Sequence, residues 1–223
     1  MPDRWSAENQ TFERCFEPLR DAGYQLERVD HDAYWKLHAE EMREHFPEEV
    51  FVDTGKLRTA DVVRKQAERA RRRDDHPLRN FIVVRKDGSP AAQFCGEEKS
   101  SDVYRMWHSN VHGDHRRQGL YRTIVAATLQ YTGELGYGSV VSEHAPGNNP
   151  VLIAKLKAGF RITGLDVTPM VGVSVHLTYF HDPEQLAAYQ WRCGLATVTP
   201  AIVAAGSGAM PLLQEQLGKP ADG

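Results

Sequence analysis

"NVHGDHRRQGLYRTIVAATL", residues 110–129, sets the end of a strand-like run, a polar basic turn and a helical pattern side by side. From Gly119 onward, Leu120, Ile124, Ala127 and Tyr131 recur on one helical face, and Gly133 to Gly136 supply the stop. The first four N–H groups of a helix have no internal partner, and the helix dipole adds partial positive charge there, so this start suits an anion. Gly119 lets the backbone approach a bulky phosphate, and Arg116 and Arg117 add charge and donors matched to its oxygens. A pyrophosphate is the natural guest. Neither a Gly-Lys-Ser/Thr ending nor a GxGxxG pattern occurs here, which sets aside the two commonest nucleotide loops. Taken alone, the stretch reads equally well as a solvated turn with two surface arginines.

Working upstream, "DVYRMWHSNV" (102–111) reads as a strand rich in aromatic and β-branched residues. "NFIVVRKDGSPAAQFCGEE" reads as two strands folded about Asp87-Gly88, a strong hairpin signal, so the three strands form an antiparallel meander. Before them come a strand in "YQLERVD" (24–30) and a helix in "HDAYWKLHAEEMREHF" with Tyr34, Leu37 and Met42 near helical spacing. A second helix begins at Thr59 as N-cap and ends before Pro77. Downstream, "YGSVVSEH" is a short buried strand, and "NNPVLIAKLKAGF" is a helix with Asn148 or Asn149 as N-cap, Pro150 in its first turn and Gly159 as its stop. "FRITGLDV" and "VGVSVHLTYF" are the last two strands. The expected organisation is an N-terminal segment (1–23), one α/β (α+β) domain (24–181) and a C-terminal helical extension (182–223).

Composition bounds the function. A chain of 223 residues with 41% hydrophobic and 26% charged residues and net charge −3 describes a soluble globular protein and argues against nucleic acid as partner. Cys15, Cys95 and Cys193 form no CxxC pair and leave an odd number, which suggests neither a disulfide framework nor a thiolate metal knot and points to a reducing cytoplasm. The N-terminus lacks the apolar core of a secretory signal, and no run approaches the roughly 18 apolar residues of a membrane span. His108, His112 and His115 have a spacing that would line a helix face, but they fall on a strand end and a Gly-Asp turn, so no metal site is expected. "RKQAERARRR" (64–73) reads as a solvated helix face, with Asp61 and Lys65, and Glu68 and Arg72, as i,i+4 pairs. From Leu195 on, only Glu215, Lys219 and Asp222 are charged, so the tail packs on the domain or on another copy, which is compatible with a homodimer.

Taken together, these residues resemble the GNAT superfamily of acyl-CoA-dependent N-acetyltransferases. Its pyrophosphate loop, Arg/Gln-x-x-Gly-x-Gly/Ala after a strand-end Val, is similar to "VHGDHRRQGLY", with Val111, Arg116, Gly119 and, at the last position, Tyr121 in place of the usual Gly or Ala. About thirty residues on, "NNPVLIAKLKAGFRITG" looks like the family's Asn-initiated helix ending in Gly-Phe. The resemblance covers roughly residues 24–180. It implies a mixed, mostly antiparallel central sheet with two splayed strands, flanked by helices. It also implies acetyl-CoA as acyl donor, with Ser109, Asn110 and Val111 meeting the pantetheine arm and the amides of Arg116, Arg117, Gln118, Gly119, Leu120 and Tyr121 holding the pyrophosphate. Asn148 or Asn149 would touch it from the opposite wall.

The chemistry implied is direct attack of a primary amine on the thioester, with the amide near Val111 as oxyanion donor and a base to take the amine's proton. His108, His112, Glu143 and His144 are the candidates. Many members carry a Tyr on the last helix as acid for the leaving thiolate, and Lys155 stands at that position here. A lysine could serve only with a lowered pKa. The rival expectation is an acyl-CoA-binding sensor or scaffold without turnover.

Overall fold

Asp87 and Gly88 both take positive φ, 52° and 82°. Such a two-residue turn matches the right-handed twist of its flanking strands. It folds β2 (Arg79–Lys86) antiparallel onto β3 (Ser89–Ser100), with Ile82 opposite Phe94. The computed structural model describes residues 6–45, 59–71, 78–168 and 172–206.

Around that hairpin a seven-stranded sheet is built in the order β1-β2-β3-β4-β5-β7-β6. β1 (Gln25–Arg28) pairs antiparallel with β2, and β4 (Val103–Val111) antiparallel with β3. β5 (Ser139–His144) is the parallel partner of β4, and β6 (Arg161–Thr168) and β7 (Gly172–Phe180) form an antiparallel pair. This is the mixed, mostly antiparallel sheet that the family resemblance implies.

α3 (His31–His45) starts where the Asp30 carboxylate accepts the Ala33 N–H at 2.8 Å, and α4 (Ala60–Arg71) starts where the Thr59 hydroxyl accepts the Val62 N–H at 3.4 Å. On α4 the expected Asp61–Lys65 pair forms at 2.7 Å, whereas the Glu68 and Arg72 side chains lie outside the described residues. α5 (Leu120–Glu134) buries Leu120, Ile124, Ala127 and Tyr131, the four residues of its predicted apolar face. α6 (Asn149–Lys157) has Asn148 as N-cap residue, although the Asn148 side chain makes no capping bond, and ends at Gly159, whose φ of 100° permits Phe160 N–H to close on the Lys155 carbonyl at 3.1 Å.

Residues 1–23, which the sequence reading sets apart as a segment before the domain, carry α1 (Ser6–Cys15) and α2 (Glu17–Asp21). They bury Phe12, Cys15, Phe16 and Leu19 in the core. Phe16 stacks on Phe94 at 5.4 Å between centroids, and Phe12 meets Tyr131 edge-on at 5.6 Å. These residues follow an i, i+3, i+4, i+7 pattern, so the driving force is an amphipathic stripe on the sheet and α5.

By its contacts the chain divides into two compact units, residues 1–179 and 180–223. Within the second, Asp182 caps α7 (Pro183–Arg192) through the Glu184 N–H at 2.7 Å, and Thr199 caps α8 (Pro200–Ala205) through the Ile202 N–H at 3.3 Å. The expected packing of the tail beyond Gly206 lies outside the described residues. Among those residues no helix is long and apolar enough to cross a membrane, and no group of three or more His, Cys, Asp or Glu could hold a metal ion.

Candidate functional site

β4 carries a bulge: Cys95 faces His108 and Gly96 faces Met106, which leaves Trp107 as an extra residue on β4. Side-chain alternation reverses there. Before the bulge Tyr104 and Met106 point into the core; after it His108 turns toward α3, where its Nδ1 lies 2.8 Å from the Tyr34 hydroxyl. Trp107 meets Trp35 of α3 at 5.2 Å, so these two rings and Tyr104 serve on opposite faces of the sheet.

The bulge also governs what the backbone offers. His112 N–H donates to the Ala91 carbonyl of β3 at 3.0 Å, so ladder alternation turns the N–H and C=O groups of Val111 and Ser109 away from β3, toward β5. β5, however, pairs with β4 only from Val103↔Ser139 to Arg105↔Val141, while β4 continues to Val111 and β5 to His144. The two strands part. The Ser109 and Val111 amides therefore line a V-shaped opening, whereas Asn110 turns its main chain to Gln93 on β3. Of the three residues expected to meet an extended ligand with their backbone, Asn110 does not face the opening.

At the mouth of the V the chain makes a short 3-10 turn (Gly113–His115) and enters α5. Arg117 takes φ 61° and Gly119 φ 86°, so successive amides curl inward before the helix start. Gly119 has no capping side chain, which leaves the first-turn N–H groups free for an anion. A Cβ on Gly119 would meet nothing nearer than Arg122 Nη2 at 3.7 Å, so glycine is required there for its backbone angle rather than for room. Arg116 and Gln118 staple the turn instead of projecting from it: Arg116 Nε donates to the Val111 carbonyl at 2.9 Å, and Gln118 Nε2 to the Asp114 carbonyl at 2.7 Å. Tyr121 packs against the core with its phenol buried and Ser109 beside it, and burial pushes that phenol up to about 12. Asn148 is half-buried and Asn149 exposed at the start of α6.

The four candidate proton carriers fall into different settings. His108 is driven down to about 3 by burial and by the neighbouring His38, whose ring is 4.0 Å away. His144, with Nε2 3.1 Å from the Ser142 hydroxyl, is driven down to about 4 by burial and by Lys155. Glu143 is held by Arg105 at 3.1 Å. His112 has its Nε2 2.7 Å from the Glu41 carboxylate, on the face covered by α3.

Sequence reasoning missed Glu41, His38 and Tyr34 as neighbours of β4. The signal was present, since Tyr34, His38 and Glu41 follow i, i+4, i+7 on α3. Their polar character disguises a buried face.

No protein-family model matches the chain, and no curated protein matches it in sequence. Solved structures do. Ard1 from Thermoplasma volcanium superimposes with TM-score 0.50 at 17% identity, covering 71% of this chain and 97% of that one. The ribosomal-protein-S18-alanine N-acetyltransferase from Escherichia coli gives 0.49 at 14% identity over 71% and 94%. A GNAT family acetyltransferase from Elizabethkingia anophelis with acetyl-CoA bound gives 0.48 at 10% over 71% and 98%. At such identities the likeness is one of fold. Its sheet order, its parted strands β4 and β5 and the likeness to Ard1 together give the chain the GNAT acetyltransferase fold.

Proposed function

We propose that the chain is an N-acetyltransferase that moves the acetyl group of acetyl-CoA to a primary amine by direct attack. The observation that carries this reading is the unpaired upper half of β4: the Ser109 and Val111 amides face an opening that β5 leaves. An extended pantetheine arm can complete such an edge as an added strand, and its pyrophosphate meets the curled amides from Arg117 to Tyr121. The fit is one of chemistry: unpaired donors face an acceptor-rich chain, and a helix N-terminus faces two phosphates.

In this reading the Val111 amide stabilises the oxyanion formed when the amine adds to the thioester carbonyl. His112, oriented by Glu41, accepts the amine's proton directly or through a water. His108 and His144 are too weakly basic for the task, and Glu143 is engaged by Arg105. The unpaired thiols of Cys15, Cys95 and Cys193 support a cytoplasmic, reducing setting.

The test is thiol release from acetyl-CoA with a panel of primary amines. Release that depends on the amine is expected, and His112→Ala should lower it about a hundredfold with acetyl-CoA affinity unchanged. Tight acetyl-CoA uptake without amine-dependent release across the panel would replace this reading by a sensor or scaffold.

A further inference from the structure

β6 ends the sheet, so its outer edge offers main-chain N–H and C=O groups to no other strand among the described residues. Its side chains divide according to their partners on β7, because residues directly opposite share a face. Ile162, Leu165 and Val167 stand opposite Leu177, Val175 and Val173. Leu177 and Val175 belong to the core, yet Ile162, Leu165 and Val167 are 52%, 72% and 74% exposed. The core face of the sheet therefore runs on past β7 as an apolar stripe in contact with solvent. Such residues are concentrated here rather than scattered: of the nine large hydrophobics exposed among the described residues, six lie between Ile153 and Val173.

The other face of β6 carries charge. Arg161 stands opposite Thr178 and Asp166 opposite Ser174, and Thr163 is an extra residue between Ile162 and Gly164. Arg161 Nε is hidden from solvent without a hydrogen-bond partner. The Asp166 carboxylate is exposed and lies 3.8 Å from His176 Nε2, too far for a hydrogen bond. A strand with one charge of each sign near its two ends complements an antiparallel copy of itself.

We propose that β6 pairs antiparallel with β6 of a second copy, about a two-fold axis at Leu165, and joins the two sheets edge to edge. Leu165 then faces the partner's Leu165, and Ile162 faces the partner's Val167, with Thr163 set aside as the bulge. All the apolar rungs fall on one face and carry the core stripe across the axis. On the other face Arg161 lies diagonal to the partner's Asp166, about 7–8 Å away between backbones and within reach of a guanidinium. The neighbouring registers fit less well. An axis at Asp166 opposes two carboxylates, and an axis at Gly164 crowds both bulges together and leaves Val167 past the end of the facing strand. A second copy is the occupant because rungs and charges match under the same two-fold operation.

The test is Leu165→Cys in a Cys193→Ser background, which removes the exposed native thiol; Cys15 and Cys95 are buried. On the axis the two Cα atoms come about 4.5–5.5 Å apart, inside the range that a disulfide bridges. Mild oxidation should turn most of the chain into covalent dimer on a denaturing gel, whereas Val167→Cys in the same background should stay single. Sedimentation of the wild type should give twice the mass of the chain. Leu165→Asp should raise the dimer dissociation constant at least about a hundredfold. Its far-ultraviolet circular dichroism should stay the same, since Leu165 is exposed in the single chain. Asp166→Arg should weaken the dimer about fivefold, and Arg161→Asp added to it should restore the affinity. A wild type that sediments as a monomer, a dimer that survives Leu165→Asp, or cross-linking at position 167 rather than 165 would each overturn the proposal.

Discussion

Replacement of Phe16 by Ala is expected to lower the unfolding free energy by about 3–5 kcal/mol, the cost of emptying a buried aromatic site. Phe16 is 1% exposed and is packed on three sides, by Phe12 at 4.2 Å, Phe94 at 5.4 Å and Tyr131 at 6.3 Å between ring centres. Phe94 belongs to β3 and Tyr131 to α5, so the ring joins the N-terminal helices to both the sheet and the helix that starts at the anion turn. Few rearrangements could refill such a cavity, because α1 is held from several directions and Thr128 and Thr132 of α5 are themselves locked to their own helix backbone at 2.8 Å. In urea the midpoint should drop while the denaturant slope stays the same. A loss below about 1 kcal/mol would mean that α1 frays from the core in solution.

Phe16 lies in a segment whose packing role is readable from its spacing alone. Phe12, Cys15, Phe16 and Leu19 display helical period in the bare sequence, but the family resemblance begins only at residue 24 and says nothing of where that stripe packs. The strand and helix order from 25 onward was legible for a stronger reason. Asp87-Gly88 admits few conformations other than a tight hairpin, and α5 and α6 carry their own start and stop chemistry.

The site was legible in its backbone and less so in its side chains. A turn that ends in a helix N-terminus announces an anion site whatever surrounds it, and Gly119 adopts the left-handed angle its identity suggests. The bulge at Trp107, by contrast, has no compositional mark, and without it the alternation along β4 assigns every later residue to the wrong face. Hence His108 reads as a free base in sequence but is hydrogen-bonded under α3, and Asn110 reads as a gap residue but is committed to β3. Lys155 is the converse case. The sequence shows a lysine on α6 but carries no mark of its burial, and only the fold shows the ammonium enclosed against the Met106 sulfur of β4.

Gly119→Glu is the second large effect, expected to weaken acetyl-CoA binding at least about a hundredfold, or about 2.7 kcal/mol. Two causes add. The φ of 86° strains any residue with a Cβ by roughly 1–2 kcal/mol, which loosens the curl that aims the amides from Gln118 to Tyr121. The new carboxylate then stands beside the phosphates and competes with them for the helix N-terminus, reversing the sign of the local field. Gly119→Asn separates the causes, since Asn tolerates the left-handed angle and brings no charge; its loss in calorimetric titration should be well under tenfold. Equal affinities for wild type and Gly119→Glu would place the phosphates elsewhere.

Where acetyl-CoA lies is read most directly from the amides that respond when it arrives. In a two-dimensional 15N–1H titration with acetyl-CoA, the largest shifts should fall on Ser109 and Val111 along β4 and on Gln118 to Tyr121 at the start of α5, with Asn110 moving less than either neighbour because its N–H is committed to β3. A titration that leaves these amides unmoved while others saturate, or that moves none, would contradict it.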